Sequence, residues 1–296
     1  MINMQNKELK MEKKFSPFYK WSGGKTKELE KVFQYMPESY DRYVEPFLGG
    51  GAVWLALNPD QSIVGDFYFE VVNFFSVLNK EGKSFVDEVN QIAQDYNDKI
   101  KRNISKTSDK KEGKAQFKEN EEIYYYWRDK AEIRTDVDKA KRFYVLRCLA
   151  YGGMLRFNKE GKFNIPFGFY KSFKLLDYPE GIDILLNNTQ MYNQSWDATV
   201  AMAHENDFVF LDPPYTRKFQ KYSSDGDFGE QEHKKLAEYF ASKKSKCMII
   251  INKDDFTESL YKDFIKEEYV FSYATRYRDR MSKEDATTYH ILATNF

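Results

Sequence analysis

The sequence predicts a doubly wound α/β sheet interrupted by a mainly helical insertion. Short apolar runs rich in β-branched and aromatic residues, SIVGD (62–66), DFVFLD (207–212) and KCMIIIN (246–252), read as buried strands. Helical patterns such as EQEHKKLAEYFASKK (230–244) lie between such runs, and strands alternating with helices argue for a sheet covered on both faces. In the middle of the chain the alternation stops, and a highly charged stretch takes its place.

In chain order, residues 1–14 (MINMQNKELKMEKK) are polar and lack the apolar stretch of a signal peptide, so they read as a loose arm. SYDRYVEPFLGGGAVWLAL (39–57) reads as a short strand, a glycine turn and an apolar helix. Asp66 closes the next strand. Residues 81 to about 130 are charged, and NISKTSDKKEGKAQFKEN (103–120) has no periodicity. From Lys141 to Lys174 there are eight basic residues and one acid, Glu160. EEYVFSYATRY and TTYHILATNF read as a closing antiparallel pair around RDRMSKEDA. The expected division is a sheet domain over 15–80 and 175–296, with the insertion over 81–174.

Bulk composition narrows the function classes. The 296 residues, 42% hydrophobic and 17% aromatic, suffice for one large domain with an insertion. Net charge is zero, so a nucleic-acid surface requires local segregation of charge. Cys148 and Cys247 lie far apart, and His204, His233 and His290 are scattered. That spacing predicts no metal site and no disulfide framework, and fits a reducing cytoplasm. The longest apolar runs are too short to span a bilayer.

Four motifs carry chemistry. EPFLGGG (45–51) follows a strand and opens a helix, where glycines permit a tight turn and close approach of a ligand. Asp66, ending the following strand, suits a ribose diol. No second glycine-rich phosphate loop is present, so an adenosine ligand without a pyrophosphate fits better than a dinucleotide. KWSGGKTKEL (20–29) places Gly23, Gly24 and Lys25 before a helix, as an anion-binding turn or as a helix start capped by Ser22 or Thr26. In DPPY (212–215), Pro213 and Pro214 fix the backbone and remove two donors. The Asp212 carboxylate and the Pro213 carbonyl then form an acceptor pair for an exocyclic amino group, with Tyr215 as a stacking platform.

KWSGGK, EPFLGGG, Asp66, YGGMLRFNKEGKFNIPFG (151–168) and DPPY, in this order, resemble the Dam family of N6-adenine DNA methyltransferases from about Phe18 to the C-terminus. The resemblance implies a Rossmann-like methyltransferase sheet with an inserted DNA-recognition domain, S-adenosylmethionine as methyl donor, no metal, and base flipping of an adenine in double-stranded DNA. It implies cofactor contacts from Trp21, Lys25, Phe47, Gly49, Gly51, Asp66 and Asp212, and a catalytic motif of Asp212, Pro213, Pro214 and Tyr215. Lys20, Met154, Arg156, Asn164, Pro166 and Tyr170 match DNA-contacting positions, and Gly168 belongs to the same FN-x-PFG element as Asn164. Arg156 is the candidate for a bidentate contact to guanine, in a GATC-like site. Two departures stand out. Gly152-Gly153 replaces a Tyr-Asn-Gly pattern in part, and Phe169 stands where a phosphate-contacting Arg occurs. A monomer is the expected state. Methyl transfer to RNA adenine, cytosine N4 or a protein amide uses the same acceptor pair, and a silent DNA-binding relative would keep the fold. Solitary, phage and restriction-modification enzymes share these motifs.

Overall fold

The computed structural model describes residues 13–104, 117–214, 228–272 and 287–296. Its centre is a seven-stranded sheet: β1 (Tyr43–Glu45), β2 (Ser62–Asp66), β3 (Thr189–Asn193), β4 (Phe208–Leu211), β5 (Lys246–Asn252), β6 (Ile265–Ser272) and β7 (Thr287–Thr294). The order is β3-β2-β1-β4-β5-β7-β6. The strands from β3 to β5 are parallel, and β7 runs antiparallel to both β5 and β6. The expected closing pair is therefore present, with β7 on its inner side. The strand order reverses between β1 and β4, which opens a crevice at their carboxyl ends.

Alternation along the strands builds two cores. Tyr43, Val64, Phe208, Phe210, Met248, Ile250 and Leu292 face one side. Val44, Ile63, Val209, Leu211, Ile249, Ile251 and Ile291 face the other, under Trp196, Leu236, Phe240 and Tyr261. Strands buried on both faces read as continuous apolar runs, which is why SIVGD and KCMIIIN stand out in the sequence. Strand β3 leaves no such signal, because TQMYN sits at the sheet edge and is only partly buried.

Helix α1 (Leu29–Tyr35) follows a 3-10 turn at Lys25–Lys27, and α2 (Ala52–Leu57) follows the glycine turn. Neither Ser22 nor Thr26 caps the first helix; Gly24 and Glu28 occupy the cap positions without side-chain capping bonds. Helix α3 (Phe69–Glu81) follows β2, and the described residues of the charged middle include the expected helices: α4 (Lys83–Ile104), α5 (Lys118–Tyr125) and α6 (Asp136–Leu149). Along α4, Phe85, Val89, Ala93, Tyr96 and Ile100 are buried at helical spacing. Thr135 and Asp138 form a reciprocal capping box that starts α6. These helices share one apolar cluster with the sheet face that carries Phe208 and Phe210. Helices α7 (Ile182–Asn187), α8 (Trp196–Val200), α9 (Glu230–Ala241) and α10 (Asp255–Tyr261) complete the described fold.

After α6 the chain forms a hairpin-like loop, bridged at Ala150–Phe167 and at Phe157–Phe163. Tyr124 Oη and Arg128 Nη1 donate to the Ile165 carbonyl at 2.7 and 3.0 Å and hold the loop to the helices. Among the described residues no helix is long and apolar enough to cross a membrane.

Candidate active site

The segments that leave β1, β2 and β4 line the crevice. Asp212 leaves β4 directly, and Lys25 Nζ lies 2.6 Å from its Oδ1. Lys25 is 2% exposed and Asp212 21%, so this is a largely buried ion pair. Burial pushes the Asp212 carboxyl above its ordinary value, and the Lys25 charge and hydrogen bond offset this only in part. Lys25 also donates to the Gly23 carbonyl at 3.1 Å, which needs the turn that Gly23 makes at φ +82°. In this motif the lysine neutralises the protein's own aspartate.

A third layer stands behind the pair. Glu28 is buried 3.9 Å from Lys25 Nζ. Its Oε1 accepts from His290 Nδ1 at 2.7 Å and Tyr269 Oη at 2.6 Å. Burial raises the Glu28 carboxyl, but the His290 hydrogen bond and the Lys25 charge outweigh it and hold it below its ordinary value. Nothing local in the sequence announces this layer, because Tyr269 and His290 sit on β6 and β7, more than 240 residues from Glu28. His233 carries no sequence signal either. It is fully buried, edge-on to the Phe228 ring at 4.7 Å, and burial lowers its pKa, offset in part by the Pro214 backbone. Pro213 is buried and Pro214 half-buried. Tyr215 lies outside the described residues.

Next to Asp212, the glycine turn packs against the protein's own side chains. A Cβ at Gly49 would stand 2.4 Å from Trp21 Nε1, and one at Gly50 2.9 Å from Trp21 Cβ. A Cβ at Gly51 would meet Trp54, Phe75 and Leu48. The glycines therefore make room for the protein's own Trp21 and core. Gly49 and Gly51 also have φ of +48° and +64°, which favours glycine. Gly49→Ala should displace Trp21 and strain the backbone, costing about 1–3 kcal/mol of stability. A melting curve with unchanged midpoint would contradict this packing.

Asp66 fastens the turn. Its Oδ2 accepts the Gly49 N–H at 2.8 Å and its Oδ1 the Tyr68 N–H at 2.8 Å. Burial raises its carboxyl to about 6, against those two donors. The folded form keeps its proton up to about pH 6, while the unfolded carboxyl releases it near 3.8, so this group's contribution to stability falls as pH rises through that window. Asp66→Asn removes the slope: the melting temperature of the variant, relative to the parent, should climb from about pH 4 to about pH 7. A constant difference would refute it.

Phe67, the residue after Asp66, is 57% exposed at this mouth. Asn193 Nδ2 donates to the Asp66 and Phe67 carbonyls at 3.0 Å each and fixes the segment. Phe67 lies outside the predicted set; an aromatic directly after an acid that ends a strand is the signal that could have found it. Phe47 stands on the other side of the turn, against Phe228 and Trp196, with centroids 5.5 and 6.5 Å away.

The sequence-predicted DNA contacts fall into two groups. Lys20 Nζ lies 4.0 Å from the Tyr170 ring centroid, and a Cβ at Gly153 would stand 3.4 Å from Lys20 Cβ, so Lys20, Tyr170 and the Gly153–Met154 segment cluster together. Arg156 is exposed on the hairpin, where its Nε donates to Asn164 Oδ1 at 2.8 Å. Pro166 is exposed and its carbonyl accepts the Tyr151 N–H. Gly168 has no space for a Cβ, which would stand 2.3 Å from the Tyr170 ring. Phe169 packs on Phe117 and Phe167 with centroids 5.8 and 5.0 Å away, so the departure at this position serves the core.

The chain is similar along most of its length to known proteins. A type II methyltransferase, M.CviBI, from Paramecium bursaria Chlorella virus NC1A is 31% identical over 286 residues, covering 95% of this chain and 99% of its own. M1.LlaDCHI, a type II methyltransferase from Lactococcus lactis subsp. cremoris, is 28% identical, with 95% of each chain covered. A DNA adenine methylase of Haemophilus influenzae is 25% identical over 88% of both chains. The family model for D12 class N6 adenine-specific DNA methyltransferases matches residues 21–273, which span Trp21, the glycine turn, the hairpin and Asp212. With that match covering most of its length, the chain belongs to the D12 class of N6 adenine-specific DNA methyltransferases.

Proposed function

We propose that this enzyme transfers the methyl of S-adenosylmethionine to N6 of an adenine flipped out of double-stranded DNA, in a GATC-like site. The observation that carries the proposal is the Lys25-paired Asp212 at the switch point, fixed by the two prolines behind it. An amino group presents two N–H donors. The Asp212 carboxylate and the Pro213 carbonyl accept them, which leaves the nitrogen lone pair facing the methyl donor. The carboxylate does this only when ionised, and burial works against ionisation. Lys25 supplies the opposing charge at 2.6 Å. Positioning and fixed charge then account for the rate without a covalent enzyme intermediate.

The residues at the mouth fit S-adenosylmethionine. Exposed Phe67 offers a face to a purine, and the Asp66 oxygens each accept one backbone N–H and retain a further lone pair for a ribose diol. Trp21, Phe47, Gly49 and Gly51 wall or shape the same turn. Once bound, the cofactor supplies an electrophilic methyl on a sulfonium.

Extruding the base costs a few kcal/mol. Met154 and Tyr170 fill or wedge the gap, Lys20 and Pro166 meet the flanking duplex, and Tyr215 stacks on the extruded ring. Arg156 reads a guanine, oriented by Asn164; Arg156→Ala relaxes discrimination at one base pair rather than weakening binding evenly. The division into a sheet domain (15–80 and 175–296) and a recognition insertion (81–174) follows from these roles, with a monomer as the acting unit. The test is labelled S-adenosylmethionine with plasmid DNA that lacks or carries adenine methylation. Label should enter only the unmethylated plasmid, and equal incorporation into both plasmids, or into RNA alone, refutes the assignment.

A further inference from the structure

Arg147 belongs to none of the motifs, yet it joins two of them. It lies in the last turn of α6 and is 1% exposed. Its Nε and Nη2 donate to the Lys20 carbonyl at 3.1 and 2.9 Å, its Nη1 to the Met154 carbonyl at 3.2 Å, and its Nη2 also to the Gly153 carbonyl. Its guanidinium carbon sits 5.1 Å from the Trp21 ring centroid. One planar fork thus holds the backbone that bears Lys20, the backbone that bears Met154, and the face of the indole that covers the Gly49–Gly50 turn.

We propose that Arg147 is a positioning residue for base discrimination, setting the register of the recognition hairpin against the segment that carries Lys20 and Trp21. It rests on the roles given above to Lys20, Met154 and Trp21, and Arg147, 1% exposed, acts through them. The chemistry demands arginine. Five donors in a rigid plane reach carbonyls from two separate segments at once, whereas an ammonium is a compact point charge with three. A lysine here keeps a cation near Trp21 but cannot span both segments. The Gly153 carbonyl is buried and loses this donor, so the loop shifts to satisfy it. Gly153 makes its carbonyl available at φ +64°, a conformation a side chain rarely adopts.

The experiment compares Arg147→Lys with the parent on the duplex the parent methylates and on the same duplex with one base pair changed. Binding of S-adenosylhomocysteine is measured by calorimetry and folding by circular dichroism. The ratio of kcat/KM between the two duplexes should fall about tenfold or more in Arg147→Lys, because small misplacements of positioned groups cost that much or more. Cofactor binding should stay within about threefold of the parent, since the cation near Trp21 is retained. A ratio that stays at the parent value, with only the melting temperature lowered, overturns the proposal. Gly153→Ala disturbs the same grip without touching Arg147, and should lose discrimination likewise; if Arg147→Lys does not fold, this variant decides. Lys20→Ala and Arg156→Ala run in parallel. If they keep full discrimination, the DNA-contact roles themselves fail; if they lose it while Arg147→Lys does not, only the positioning role fails.

Discussion

Asp212→Ala should abolish methyl transfer while leaving a folded protein. On the proposed mechanism the substitution removes the acceptor for the amino group, and turnover should drop by about 10³-fold or more, as for loss of a preorganised charge at a reacting centre. It also leaves Lys25 buried without its partner at 2.6 Å. That cost is set by the buried lysine and lowers the melting temperature, so the comparison needs Asp212→Asn beside it. The amide keeps the shape and one acceptor oxygen but not the charge, and it too should be nearly inactive. Single-turnover transfer to a saturating duplex, with circular dichroism on the same samples, separates chemistry from folding. Turnover near the parent rate in either variant would refute the mechanism.

Lys25→Met carries the second largest effect, and its sign comes from the site. Burial drives the Asp212 carboxyl upward, and Lys25 is the main opposing influence. Without that lysine the carboxyl keeps its proton to higher pH, and a protonated acid offers one acceptor fewer for the amino group. Turnover near neutral pH should fall by about 10²-fold or more, as expected for a misplaced or mischarged group at a reacting centre. The rising limb of the rate–pH profile should move to more alkaline pH, so raising the pH restores part of the loss. Breaking a buried ion pair also costs about 3–5 kcal/mol of stability. Glu28 then faces a cavity in place of the ammonium 3.9 Å away, but retains His290 and Tyr269. A variant that is merely slower, with an unmoved pH profile, would show that Lys25 acts on something other than the Asp212 proton.

Much of the fold is legible in the sequence because the parallel strands are buried on both faces. SIVGD and KCMIIIN coincide with β2 and β5, and DFVFLD brackets β4. The edge strand β3 is not legible, since half-exposed residues leave no apolar run. The same logic separates the site residues. Asp212, Lys25, Asp66 and the glycine turn sit in short local motifs. Arg147, Tyr269 and His290 do not: their roles come from contacts across the fold, and each alone in the sequence is an ordinary buried or surface residue.

The sequence by itself determined the strand and helix alternation, the order of the motifs and the acid placed where β4 ends, since these depend on local periodicity and on backbone chemistry within a few residues. Only the tertiary structure decided that Lys25 pairs with Asp212, that Trp21 packs against Gly49, and that Arg147 joins the hairpin to the Trp21 segment. Such pairings depend on distance in space between groups that burial has stripped of water, and a linear order of residues carries no measure of that distance.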